Sequence, residues 1–129
     1  MDQPTRRYFE TLTDLIGKAL DNIRLNQIES DSRRTLWELH GSLRESDIFI
    51  KEVFIQQGRM YSYYVIRQGE VVVGFDNYPD RKALQLKYGL GFTSHLDELI
   101  PHRHDKNKTI LELTEDMTVE KFLKSLITI

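Results

Sequence analysis

The chain has 129 residues and a mass of 15.3 kDa, enough for one domain with a buried core and too little for separate catalytic and substrate domains. Its 18 basic and 20 acidic side chains leave a net charge of −2, which excludes a global cationic field and confines any nucleic-acid contact to a local patch. Cysteine is absent, excluding disulfides, thiolate metal sites and a cysteine nucleophile, and the lack of an apolar leader or bilayer-length run predicts a soluble cytoplasmic protein with no membrane partner.

Phe9, Leu12, Ile16, Ala19, Leu20 and Ile23 recur at helical spacing behind Pro4, so an amphipathic helix is predicted over residues 4–23. The next stretch reads as strands broken by turn signals at Asp31-Ser32, Arg44 to Asp47, Gln57-Gly58 and Gln68-Gly69. The predicted strands are Leu25 to Ser30, Thr35 to Leu43, Ile48 to Gln56, Arg59 to Arg67 and Glu70 to Asn77, all rich in Ile, Val, Phe and Tyr.

If both Gln-Gly pairs close two-residue hairpins, Arg67 opposes Glu70, and Tyr63 opposes Gly74 on one side and Glu52 on the other. One face then carries the rows Glu52, Tyr63, Gly74 and Phe54, Tyr61, Asp76. Glu52 there is either a cross-strand partner of the Tyr63 hydroxyl or part of a site. The opposite face, with Val53, Ile55, Met60, Tyr64, Ile66, Val71, Val73 and Phe75, is predicted to receive the N-terminal helix.

Asp80 to Leu99 has no clean period and reads as a long connection, with a helical piece at Arg81 to Tyr88. Beyond it stands Ile100-Pro101-His102-Arg103-His104-Asp105, where proline favours extension, so that His102 and His104 share one face and Arg103 takes the other. A short strand is predicted over Lys108 to Leu113. A last helix begins near Thr118, whose hydroxyl caps it, and buries Val119, Phe122, Leu123 and Leu126. The fold class expected is α+β: an antiparallel β-meander of about five to six strands with an N-terminal helix packed on one face and a C-terminal helix.

Several short motifs, taken in order, resemble the TumE-like family of toxins from bacterial toxin–antitoxin pairs. They are Glu52 on its strand, Tyr61-Ser62-Tyr63, Asp76-Asn77-Tyr78-Pro79, Pro101-His102-Arg103-His104 and Thr118-Val119-Glu120. The resemblance implies an intracellular toxin acting on RNA, neutralised by an antitoxin protein encoded beside it. A second copy of the chain is a further expected partner. Where the family tends to follow the Asp-Asn turn with histidines, this chain has Tyr78 and Asp80-Arg81, and His95 is the residue left to substitute for them.

Metal-free RNA cleavage needs a base, an acid and a cation for the developing phosphorane charge, roles that His102, His104 and Arg103 can fill without a cofactor, with Glu52 and Asp76 as neighbouring carboxylates. Tyr61 and Tyr63 read first as strand residues packed in the core or at its rim and second as candidates to stack an unpaired base, with Asn77, Arg81 and His95 to contact the substrate. Arg81, Lys82, Lys87, Arg103, Lys106 and Lys108 supply a local basic groove. Two alternatives stand beside this one: a divalent metal on His102 and His104 joined by Asp76 or Glu52, and a non-enzymatic protein-binding module or occupancy inhibitor.

Overall fold

The structure, a computed structural model, describes residues 1–128. Helix α1 (Gln3–Ala19) starts where the Asp2 side chain accepts from the Thr5 amide at 2.8 Å and Pro4 occupies the first turn. It ends at Ala19, short of the predicted residue 23, because Leu20 is already extended and Asp21 opens the first strand.

Seven strands follow in the spatial order β1-β2-β3-β4-β5-β6-β7, every neighbouring pair antiparallel. They are β1 (Asp21–Ser30), β2 (Thr35–Leu43), β3 (Ser46–Ile55), β4 (Gly58–Arg67), β5 (Glu70–Asp76), β6 (His102–Asp105) and β7 (Ile110–Leu113). Strand order equals chain order, so the architecture is an open α+β meander. The strand beyond the expected five to six is β6, made by the His-Arg-His segment itself. Between β5 and β6 lie α2 (Arg81–Tyr88) and a 3-10 turn, Gly89–His95; α3 (Val119–Ser125) closes the chain with the 3-10 turn Leu126–Thr128.

Two details of register differ from the expectation, and the second decides what shares a face. At the β3–β4 hairpin the paired ends are Ile55 and Gly58, so the tip is Gln56-Gln57 rather than Gln57-Gly58; Glu52 opposes Tyr61, and Tyr63 opposes Ile50. The β4–β5 turn closes as expected, Arg67 against Glu70, with Gln68 and Gly69 both at positive φ. Past it, however, the register shifts between Val65 and Ile66: Ile66 meets Val71 while Val65 meets Val73, leaving Val72 as an extra residue in β5. A one-residue slip exchanges faces, so Tyr64 rather than Tyr63 opposes Gly74, and Asp76 pairs with Ser62 rather than with Tyr61.

The helices therefore cover a different surface from the one predicted. The main core joins Leu12, Ile16 and Leu20 of the N-terminal segment to Trp37, Ile48, Ile50, Tyr61, Tyr63 and Val65, with Val119, Phe122 and Leu126 completing it. Of the predicted helix-receiving set, Val73 and Phe75 do lie in this core, placed there by the bulge. Both faces of β3 and β4 are apolar enough for either packing. What decides is Glu52, which is wholly buried under α1 and accepts from Tyr8, Trp37, Arg59 and Tyr63. The other face is covered locally by α2, whose Ala83 and Leu84 form a small second core with Ile100, Tyr88, Phe92 and Leu111.

Candidate functional site

The site is built by β5 and β6. Asp76 pairs with His102 and Gly74 with His104, so the carboxylate and both imidazoles emerge on the face that α2 borders. His102 Nε2 lies 2.8 Å from Asp76 Oδ1, and His104 Nε2 lies 3.3 Å from Asp76 Oδ2. The first approach is short enough for ion pairing but too oblique for a directed hydrogen bond, and His102 Nε2 is buried with no hydrogen-bond partner among the described residues. His102 Nδ1 sits 2.7 Å from the Ile100 carbonyl, which only accepts, so Nδ1 carries the proton.

Asp76 is anchored from behind by the Tyr64 hydroxyl, which donates to Oδ2 at 2.7 Å, and by the Tyr78 amide, which donates to Oδ1 at 3.2 Å. Burial disfavours its charge, but the interactions with His102 and Tyr64 outweigh burial and hold the carboxyl below its ordinary pKa. For His102, burial works against the imidazolium, yet Asp76 and the Ile100 carbonyl prevail and raise the pKa. For His104, burial dominates, and the charges of His102 and Lys108 assist in lowering the pKa against the pull of Asp76.

His104 opens on a cleft of about 660 Å³ whose walls carry Arg81, Lys82 and Gln85 of α2 and Lys108 of the β6–β7 turn. Asp80 also lines it, but its carboxylate caps α2 by accepting from the Ala83 amide at 3.0 Å. Arg81 lies over the Phe92 ring and Lys108 over the Tyr64 ring. Among the described residues none of the three cations is in an ion pair.

Of the residues singled out by sequence, the structure brings together Asp76, His102 and His104, with Arg81 at the cleft. Lys82 and Lys108 of the expected basic groove line it too, whereas the other candidate site residues lie elsewhere. Glu52 is on the opposite face, because the β5 bulge separates its row from that of Asp76. Arg103 alternates away from the histidines, as expected, which removes it from their chemistry; it donates to Asp105 and lies over Phe75. Tyr61 and Tyr63 are both fully buried, stacked on each other at 4.9 Å, and Tyr63 stacks on Phe122, so neither face is open to a nucleobase. Burial pushes the Tyr61 hydroxyl up to about 12, and it accepts from the Met117 amide.

Asn77 clips the end of β4, donating to the Arg59 carbonyl and accepting from the Tyr61 amide, which leaves it no role toward substrate. His95 stacks on Tyr88 at 3.7 Å and pairs with Glu98, outside the lining of the cleft. His102 and His104 are themselves buried in a strand, 1% and 8% exposed, so a loop-like tolerance to substitution is not expected of them.

Sequence reasoning missed Tyr64, the residue that holds Asp76. The available signal was Gly74, a glycine inside a strand: a Cβ there would stand 2.2 Å from Tyr64 Cε1, so the ring crosses the chain at the one position without a side chain.

The fold and site define an α+β protein with an open seven-stranded antiparallel sheet and a buried Asp-His-His cluster at a cationic cleft. Comparison with family models, with curated proteins and with solved structures gave no match to this chain.

Proposed function

We propose that this protein is an RNA-directed toxin of a toxin–antitoxin pair, cleaving single-stranded RNA whose backbone lies in the α2 cleft beside His104. One observation carries the reading: three cations without ion-pair partners among the described residues line the same cleft as the only imidazole of the cluster that reaches it. An anionic backbone is the ligand that such a lining favours, since a chain of net charge −2 can hold a polyphosphate only through a local patch. The Asp76–His102–His104 cluster supplies the reactive groups at the cleft floor. His102, at 1% exposure, does not itself touch the RNA. The order of the Tyr-Ser-Tyr, Asp-Asn-x-Pro and Pro-His motifs, similar to that of the TumE-like toxins, supports the toxin assignment and an antitoxin partner.

The reading is tested by titrating a fluorescent single-stranded oligoribonucleotide at several salt concentrations. Replacing Arg81, Lys82 and Lys108 together by Ala should flatten the slope of log K against log salt by about 2, at roughly 0.7 for each phosphate no longer neutralised. An unchanged slope, or no binding by the parent protein at low salt, overturns it.

A further inference from the structure

We infer that Asp76, His102 and His104 form a binding site for one divalent first-row transition ion, of the zinc or manganese kind. Each residue offers one ligand atom, and the three atoms lie within 4.8 Å of one another in a buried cluster. Donors bonded at about 2.0–2.2 Å to a common ion stand roughly 3–3.5 Å apart at tetrahedral to octahedral angles. The carboxylate-to-imidazole separations here are 2.8 Å from His102 to Oδ1 and 3.3 Å from His104 to Oδ2, and one donor from each residue lies within 4.8 Å of the others, a span that small side-chain shifts would close around an ion.

The supporting shell has the form that ligating histidines and carboxylates use. Nδ1–H of His102 is committed to the Ile100 carbonyl, which fixes the ring so that Nε2 faces the cluster. That Nε2 is buried, 2.8 Å from a carboxylate oxygen, and makes no directed hydrogen bond among the described residues, a condition it shares with His104 Nδ1 and Thr114 Oγ1. Tyr64 orients the carboxylate, and Gly74 makes room for Tyr64. These interactions pre-organise a ligand set more fully than a solvent-facing His-Asp pair requires.

Two neutral imidazoles and one carboxylate leave a divalent ion with a net positive charge and open coordination positions. His104 places those positions at the cationic cleft, where a water or a phosphate oxygen would complete the shell. That last role rests on the RNA reading; occupancy by the ion does not.

The test uses the full chain stripped with EDTA and then titrated with Zn²⁺ alone by calorimetry and with Co²⁺ alone by visible absorption. Expected are one ion per chain and a ligand-field spectrum of bound Co²⁺. At a hundredfold excess over Kd the melting temperature should rise by roughly 10 °C. His104→Ala should weaken binding at least roughly 100-fold, and Tyr64→Phe, which keeps all three ligands, by about 10–100-fold. His40→Ala, remote from the cluster, should bind as the parent does. If His104→Ala does not fold, the Tyr64→Phe and Co²⁺ results decide. No uptake by the folded parent, parent-like uptake in Tyr64→Phe and His104→Ala, or uptake lost in His40→Ala would overturn the inference. RNA is absent throughout, so a metal site in a protein that fails to bind RNA would retire the toxin reading and leave this one standing.

Discussion

Replacing Glu52 by Ala should be among the most damaging single changes in this protein. Its carboxylate is wholly buried and accepts from four groups: Tyr8 at 2.8 and 3.0 Å, Tyr63 at 2.8 Å, Arg59 at 3.1 Å and Trp37 at 3.3 Å. Hydrogen bonds to a charged group contribute about 1.5–3 kcal/mol each, and the desolvation of the carboxylate cancels several kcal/mol of that sum. Arg59 keeps Asp116 at 2.8 Å and the Met117 carbonyl at 2.6 Å after the substitution, so it is not fully stranded, but Tyr8, Tyr63 and Trp37 lose their acceptor. The net cost is about 4 kcal/mol, within the range for breaking a buried ion pair and a large share of the roughly 5–15 kcal/mol typical of a domain. With a urea m-value of about 1.5 kcal/mol/M, the unfolding midpoint should fall by roughly 2.5 M. A loss below about 1 kcal/mol would show that this network does not clamp α1 to the sheet.

Two further effects follow from the other face. Gly74→Ala puts a methyl 2.2 Å from the Tyr64 ring, which must shift and release Asp76; a destabilisation of about 1–3 kcal/mol is expected by urea titration, and a neutral result would place the ring elsewhere. In EDTA, the Asp76–His102 pair predicts a stability maximum in mildly acidic solution. The lowered Asp76 pKa gives stability above the ordinary carboxylate range that is lost as pH falls through the lowered value. The raised His102 pKa gives stability below the ordinary histidine value that is lost as pH rises through the raised value. In His104→Gln, which removes the opposing titration of His104 with its lowered pKa, urea midpoints that stay flat across that range, in buffers of matched ionic strength, would contradict the pairing.

Much of the sheet was legible in the chain. Alternating β-branched and aromatic residues marked β2 to β5, the Gln68-Gly69 pair set the Arg67–Glu70 closure, and Pro101 gave β6 its extension and its two-histidine face. The displacement of Asp76 traces to one residue. Val71-Val72-Val73 reads as an unbroken strand, and nothing in three identical side chains says which is the extra one. That bulge moved Asp76 away from Glu52 and toward the histidines. The second error was to count Glu52, Tyr61 and Tyr63 among the site residues: the Tyr63 hydroxyl does donate to Glu52, the cross-strand bond the sequence allowed, but all three are fully buried. Polar groups of this kind go inside when donors and acceptors meet, and the donor from α1, Tyr8, lies 44 positions from Glu52 in the chain. Long-range satisfaction of that sort has no local sequence signature.

The central claim, that reactivity resides at the Asp76–His102–His104 cluster on the α2 face, is tested most directly by single-turnover cleavage of single-stranded RNA. The parent protein and His104→Ala would be compared with Zn²⁺ or Mn²⁺ supplied and with EDTA, each variant first shown to be folded by circular dichroism. The account predicts cleavage by the parent and a loss of at least roughly 100-fold in His104→Ala. Equal rates in the two proteins, or an intact and metal-supplied parent that leaves RNA uncut, would contradict it.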